Sequence, residues 1–248
     1  MIYTIFKQDL RLWCLTSTIY LFVAVFSLFS LGAMFLLSGF VSANRSDLTF
    51  AFFRWHPWIY ALVIPFLAMQ VWSEERRSSF FELWFTKPVS MMEIVLAKFS
   101  VAAVTILLAL LATFPAVLVV VLYGSPDWGR IATGYLGSFL IGCCFVALSM
   151  GVSSLLKISI GSYIASVAFC SLLIVTGMAK VRDVVIESVP QLRVLADAFM
   201  QLSIRHQYDA FLYGSIAWSS VASLLLLTAF GLFVNATFFQ SERFRERL

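Results

Sequence analysis

Few side chains in this 248-residue sequence are of types that make or break bonds. The four cysteines, Cys14, Cys143, Cys144 and Cys170, show no C-x-x-C spacing and mostly sit inside apolar runs. They read as small hydrophobes, not as a disulfide or metal framework. Neither His56 nor His206 is surrounded in sequence by a ligand cluster at metal-binding spacing, so no metal site is expected. The longest apolar stretches hold almost nothing ionisable. That disfavours an ion-coupled carrier built on buried carboxylates, and an intramembrane enzyme, which would need paired catalytic groups.

What remains is chemistry of association. The densest charge cluster runs from Ser73 to Ser90 and contains Glu74, Glu75, Arg76, Arg77, Glu82 and Lys87. Within it Phe80, Phe81, Trp84 and Phe85 stand at i, i+1, i+4 and i+5, which places them on one face of a short helix, with Glu82 and Thr86 off that face. Leu83 completes the turn, and Pro88 ends it because the residue before a proline is pushed out of the α region. Ser90 and Glu93 then have capping-box spacing, with Val89 and Ile94 spaced as a hydrophobic staple. The pattern predicts a helix, a sharp break and a second helix. Its aromatic face suits rigid anchors in a partner's groove, rimmed by charge. An amphipathic helix resting among lipid headgroups fits the same residues.

The elements that position this segment are apolar helices. Apolar residues make up 61% of the chain and charged ones 12%, about half the usual charged share of a soluble domain. Six long gaps separate the charges: Arg11 to Arg45, Arg54 to Glu74, Lys98 to Asp127, Arg130 to Lys157, Lys157 to Lys180, and Asp209 to Glu242. Each gap can hold about 20 apolar residues, enough to cross a ~30 Å hydrocarbon layer. Six transmembrane helices are therefore expected, at about 16–42, 56–73, 92–122, 130–156, 159–179 and 212–240. Continuous apolar runs such as Ile94–Leu122 lack the alternation of a β-barrel. The fold class expected is all-α, a polytopic membrane protein forming a single domain over 1–248.

Residues 1–15 look like an interfacial helix, since Ile2, Phe6, Leu10 and Trp13 recur at helical spacing among Lys7, Asp9 and Arg11. No cleavable signal is expected at the N-terminus. An even number of spans puts both termini on one side. With the termini cytoplasmic, ten Lys and Arg fall inside and seven outside, in keeping with the positive-inside tendency. Four of the seven belong to the last outer segment, about 180–210, which mixes apolar residues with both charge signs and predicts short amphipathic helices. Trp55, Trp58, Tyr60, Tyr123, Trp128 and Tyr135 cluster near the expected outer ends, where amphipathic rings settle. Ser125, Pro126 and Asp127 read as N-cap, first helical position and first-turn acid. Pro65 and Pro115 predict kinks in mid-helix. Along the fourth span, Gly134, Ser138 and Gly142, and one row over Cys143, Ala147 and Gly151, form small-residue rows that let helices approach closely.

The motifs Trp72-Ser-Glu-Glu-Arg-Arg77, Phe81-Glu-Leu-Trp-Phe-Thr-Lys-Pro-Val89 and Glu93-Ile-Val-Leu-Ala-Lys98 resemble the pattern of ABC-2 type transporter permeases. The resemblance runs almost end to end. Tyr123-Gly-Ser-Pro-Asp-Trp-Gly129, Gly134-Tyr-Leu-Gly137 and the stretch from Leu202 through His206 and Phe211 to Gly214 are more narrowly similar to the gliding-motility-associated subgroup. Ala97 departs from the family's usual glycine and Arg77-Ser-Ser79 from its Lys-Ser-Gly-Thr-like run, which leaves the substrate open.

The resemblance implies a type V exporter-like permease of a bacterial inner membrane, with both termini cytoplasmic. It would form a homodimer, pair with two copies of a cytoplasmic ABC ATPase, and contact lipid and an extracytoplasmic auxiliary subunit. In such proteins the segment matching Arg76–Pro88 is the coupling helix that docks on the ATPase. The chain has no G-x-x-x-x-G-K-[ST] loop, so ATP and Mg are expected in the partner, with no cofactor or nucleic acid bound here and no catalysis by this chain. The alternative is a membrane scaffold, driven by the same ATPase, that transmits force to an extracytoplasmic protein without moving a solute.

Overall fold

The computed structural model describes residues 2–37, 51–77, 90–123, 126–156, 158–188, 194, 197, 200–201 and 203–245. Among them there is no strand. The described residues include the α-helices α1 (Ile2–Leu15), α2 (Ser17–Gly32), α3 (His56–Arg77), α4 (Met91–Ala112), α5 (Pro115–Tyr123), α6 (Trp128–Leu155), α7 (Ser159–Val175), α8 (Ala179–Ser188), α9 (Ile204–Leu212) and α10 (Trp218–Arg245). A wide π turn, Ala33–Leu37, extends α2, and a 3-10 turn, Phe53–Trp55, leads into α3.

Helix α6 is the centre of the bundle. It packs against α3, α4, α7, α9 and α10, and 78% of its most apolar window is buried, against 33% for α10 and for α2 with its π turn. Its small residues make this centrality physical. A Cβ at Gly231 of α10 would lie 2.7 Å from the Ala147 backbone, and one at Gly151 would lie 3.1 Å from the Gly231 carbonyl oxygen, so α6 and α10 meet backbone to backbone. The outer helices carry the opposite burial pattern. Leu28, Leu36, Leu122, Leu226 and Trp218 are all more than two-thirds exposed. Apolar groups covering the outside of a bundle whose own core is filled match a lipid solvent.

Among the described residues four stretches are long and apolar enough to cross a membrane: Ser17–Leu37, Met91–Leu122, Trp128–Leu155 and Trp218–Ser241. The other two expected spans fall short for separate reasons. Helix α7 is apolar but has 17 residues. Helix α3 has 22, but His56, Pro57, Pro65 and Gln70 dilute its apolar run. Both pack on α6 within the same bundle.

Several expected boundaries move. Pro115 interrupts its span outright: α4 ends at Ala112, the Thr113 hydroxyl turns back to the Leu110 carbonyl at 2.6 Å, and Pro115 opens α5. A proline whose missing amide is harmless at a first helical position favours such a restart. The cap before α6 is Asp127 itself, whose Oδ1 accepts from the amides of Gly129 at 3.1 Å and Arg130 at 3.3 Å, so this acid caps the helix from just outside its first turn. The last span starts at Trp218 instead of 212, because α9 ends at Leu212 and Gly214, at φ +80°, leaves the helical conformation just after it.

Candidate functional site

The segment singled out in the sequence joins α3 to α4. Glu74, Glu75, Arg76 and Arg77 form the last turn of α3. Phe80, Phe81, Glu82, Leu83, Trp84, Phe85, Lys87 and Pro88 lie outside the described residues. The helix after them restarts at a full capping box: the Glu93 amide donates to Ser90 Oγ at 3.3 Å, and the Ser90 amide donates to Glu93 Oε2 at 3.1 Å. Two orphan amides are thereby satisfied where the chain turns.

Around the segment's two attachment points four helices are tied together. The Trp72 ring on α3 packs against Phe239 of α10, with centroids 4.2 Å apart. Lys98 of α4 places its ammonium 5.4 Å from the Trp72 ring and 3.8 Å from Asp9 Oδ2 of α1. The Asp9–Lys98 contact is an ion pair beyond hydrogen-bond reach, and Asp9 Oδ2 has no hydrogen-bond partner among the described residues. Burial accordingly raises the Asp9 carboxyl above its usual range, and the attraction of Lys98 only partly offsets this. A cavity of about 380 Å3 opens beside the restart, lined by Ser90, Met91, Met92, Phe233, Ala236, Thr237 and Gln240. The segment thus leaves and re-enters a cross-braced end of the bundle.

The small residues of α6 occupy the opposite half of the molecule as well as its middle. A Cβ at Gly134 would lie 2.7 Å from the Phe53 ring, and one at Gly142 would lie 3.0 Å from Ile106. Ala147 and Gly151 face Gly231 of α10. Gly137, which the small-residue rows do not include, takes Phe211 of α9 at a notional 2.7 Å.

Ser138 does more than pack. Its hydroxyl lies 2.7 Å from His56 Nδ1 and 2.8 Å from the Tyr208 hydroxyl, which donates to the Phe53 carbonyl at 3.1 Å. A carbonyl only accepts, so the chain has one direction: His56 Nδ1–H to Ser138, Ser138 to Tyr208, Tyr208 to Phe53. All three side chains are buried. His56 is enclosed by the rings of Phe26, Phe52, Phe53 and Tyr60, and neither its Nε2 nor the Tyr60 hydroxyl has a partner among the described residues. Burial pushes the Tyr208 hydroxyl well above the normal range, so it remains a neutral donor. This chain joins α3, α6 and α9, and no sequence signal pairs residues 70 and 82 positions apart. His206, by contrast, is exposed on α9.

A family model described as "ABC-2 family transporter protein" matches residues 6–242, nearly the whole chain. The chain belongs to the ABC-2 transporter family. An ABC-2 permease is a multi-pass membrane component of a transporter, typically non-catalytic, and membership implies pairing with an ABC ATPase. The lipid-like exterior of the bundle agrees with that role, and the cross-braced end around Ser90 and Trp72 is where this permease frames its most charged segment. A search of curated proteins found no significant match.

Proposed function

We propose that this ABC-2 permease works as a homodimer of six-span subunits in a bacterial inner membrane and exports its substrate with two copies of a cytoplasmic ATPase. Residues 74–90 form the coupling segment, with Phe80, Phe81, Trp84 and Phe85 as anchors in the ATPase groove and Glu82 and Lys87 on the rim. ATP and Mg are held by the ATPase. Both termini and the coupling segment face the cytoplasm, α1 lies in the interface, and residues 180–210 stand on the far side, where an auxiliary subunit would meet them. The subgroup nearest in kind is the gliding-motility-associated one.

The observation that carries this reading is the mechanical frame around the segment. Ser90 caps the outgoing helix, and Trp72 on the incoming helix is tied to Lys98, Asp9 and Phe239. A helix merely resting on lipid needs no such bracing. An ATPase stroke delivered between Arg77 and Ser90 is well served by it, because packed side chains and rigid helices carry coupling between distant sites.

The experiment is photo-cross-linking in intact cells from a photoreactive residue at Trp84, with a second probe at Phe81. An ABC ATPase subunit, identified by mass spectrometry, is the expected adduct. Adducts to lipid alone at both positions would end the coupling assignment. Orientation is read separately by single cysteines at Ser79, Ser188 and Ser241 in a cysteine-free background. An impermeant thiol reagent should label only the Ser188 position before permeabilisation.

A further inference from the structure

About 22 residues of helix α3, roughly 33 Å at 1.5 Å per residue, separate the coupling end from a second cavity at the other end of the bundle. This cavity holds about 150 Å3 and is lined by Arg54, Pro57, Trp58, Arg205, Tyr208, Asp209, Leu212 and Tyr213. That is room for a small polar headgroup.

The charges are arranged for an anion. Two guanidiniums, Arg54 and Arg205, stand with one carboxylate, Asp209. Among the described residues none of the three forms an ion pair. The Asp209 carboxyl is raised, first by burial, against the pull of Arg205, His206 and Arg54. Two positive groups thus stand against one negative group in the lining. Trp58, Leu212 and Tyr213 supply apolar surface to the same lining. Tyr213 is 67% exposed and Trp218, just beyond it, 83%. Exposed aromatics at the ends of apolar helices mark headgroup depth. The cavity's back wall is rigid, since Tyr208 is locked by Ser138 and the Phe53 carbonyl.

We propose that this cavity binds a phosphate ester at headgroup level, with Arg54 and Arg205 taking the phosphate oxygens and Trp58, Leu212 and Tyr213 the carbon side of the ester. Guanidinium forks match a tetrahedral phosphate better than any other common anion-binding side chain. The site does not depend on ATPase coupling, and its failure would leave that reading untouched.

The test uses delipidated, purified full-length chain. Phosphatidylethanolamine binding is followed by native mass spectrometry, with diacylglycerol as the headgroup-free control, and glycerophosphoethanolamine is titrated calorimetrically as the soluble ester. Wild type should bind at least one of the two phosphate esters in preference to diacylglycerol. The double variant Arg54→Gln, Arg205→Gln should bind at least about tenfold more weakly, since charge-assisted bonds are the stronger class. Arg182→Gln should bind normally, because that guanidinium pairs with Asp197 at 2.6 Å outside the cavity. Binding of the lipid alone assigns a membrane lipid, and comparable binding of both assigns a soluble ester. No phosphate-dependent binding by wild type, or undiminished binding by the double variant, overturns the proposal. Should the double variant not fold, Asp209→Asn serves instead. Removing the one negative charge should tighten binding, and unchanged or weaker binding counts against the site.

Discussion

Replacing Ser138 by alanine removes one oxygen from the middle of the His56–Ser138–Tyr208 chain and leaves the packing of α6 almost unchanged. Tyr208 keeps its acceptor, the Phe53 carbonyl at 3.1 Å. His56 does not: its Nδ1 loses the 2.7 Å contact, its Nε2 already has no partner among the described residues, and the ring is fully buried. An orphaned buried polar group costs about 1–3 kcal/mol. Interhelical hydrogen bonds in membrane bundles average nearer ~0.6 kcal/mol, because the unfolded chain in lipid finds other partners, so the lower half of that range is expected. For a chain of this size about 1 kcal/mol corresponds to roughly 2–4 °C in Tm. Thermal unfolding of the purified protein in one detergent, followed by tryptophan fluorescence, should show Ser138→Ala melting a few degrees below wild type. Tyr208→Phe, which takes the acceptor from the Ser138 hydroxyl and leaves the Phe53 carbonyl with only the His56 amide, should cost a similar amount. The double variant should cost less than the two single losses added, since both break the same chain. Strict additivity, or a Ser138→Ala loss within the error of wild type, would refute the view that the three side chains act as one unit.

The α6–α10 contact makes a sharper stability prediction: Gly231→Ala drives a Cβ to within 2.7 Å of backbone that cannot yield and should cost about 1–3 kcal/mol, whereas Gly32→Ala, with nothing within 4 Å, should change little. Thermal unfolding of the two variants side by side checks it, and equal effects would contradict the close approach. The Asp209 carboxyl is raised by burial, so its contribution to stability is fully present below the ordinary carboxylate pKa and is lost as pH rises through the raised folded value. Melting curves of Asp209→Asn should therefore gain on wild type as pH rises from about 4, and a gap that closes as pH rises would count against a disfavoured charge.

The parts of this molecule that depend on neighbours in sequence were legible there. The Ser90–Glu93 box is a three-residue relation, and the structure shows both of its bonds. The charge gaps marked apolar helices because a long run without a charge is a direct property of the chain. They overstated uniformity, since α7 is short and α3 carries prolines and a buried histidine. Competition between adjacent residues shifted boundaries: Asp127 serves as cap before α6, and Pro115 starts a new helix instead of bending an old one. The cross-bracing of Asp9, Lys98, Trp72 and Phe239, and the chain from His56 to Phe53, depend on which helices meet. Gly137 and Ser138 showed in sequence only as small residues, and their partners on α9 lie about 70 positions away.

Affinity for the ATPase tests most directly whether residues 74–90 transmit ATPase work to the bundle. The binding isotherm of the purified permease with the ABC ATPase it cross-links to should weaken when Trp84 becomes alanine. Truncating a central aromatic anchor costs on the order of 2 kcal/mol, a roughly 25-fold loss at about 1.4 kcal/mol per tenfold. Glu82→Lys should weaken binding in a salt-dependent manner, because a rim charge is screened by ions, whereas the Trp84→Ala loss should not change with salt. If properly inserted Trp84→Ala and Glu82→Lys proteins both bind the ATPase as tightly as wild type, the segment is not the coupling element and the account fails at its centre.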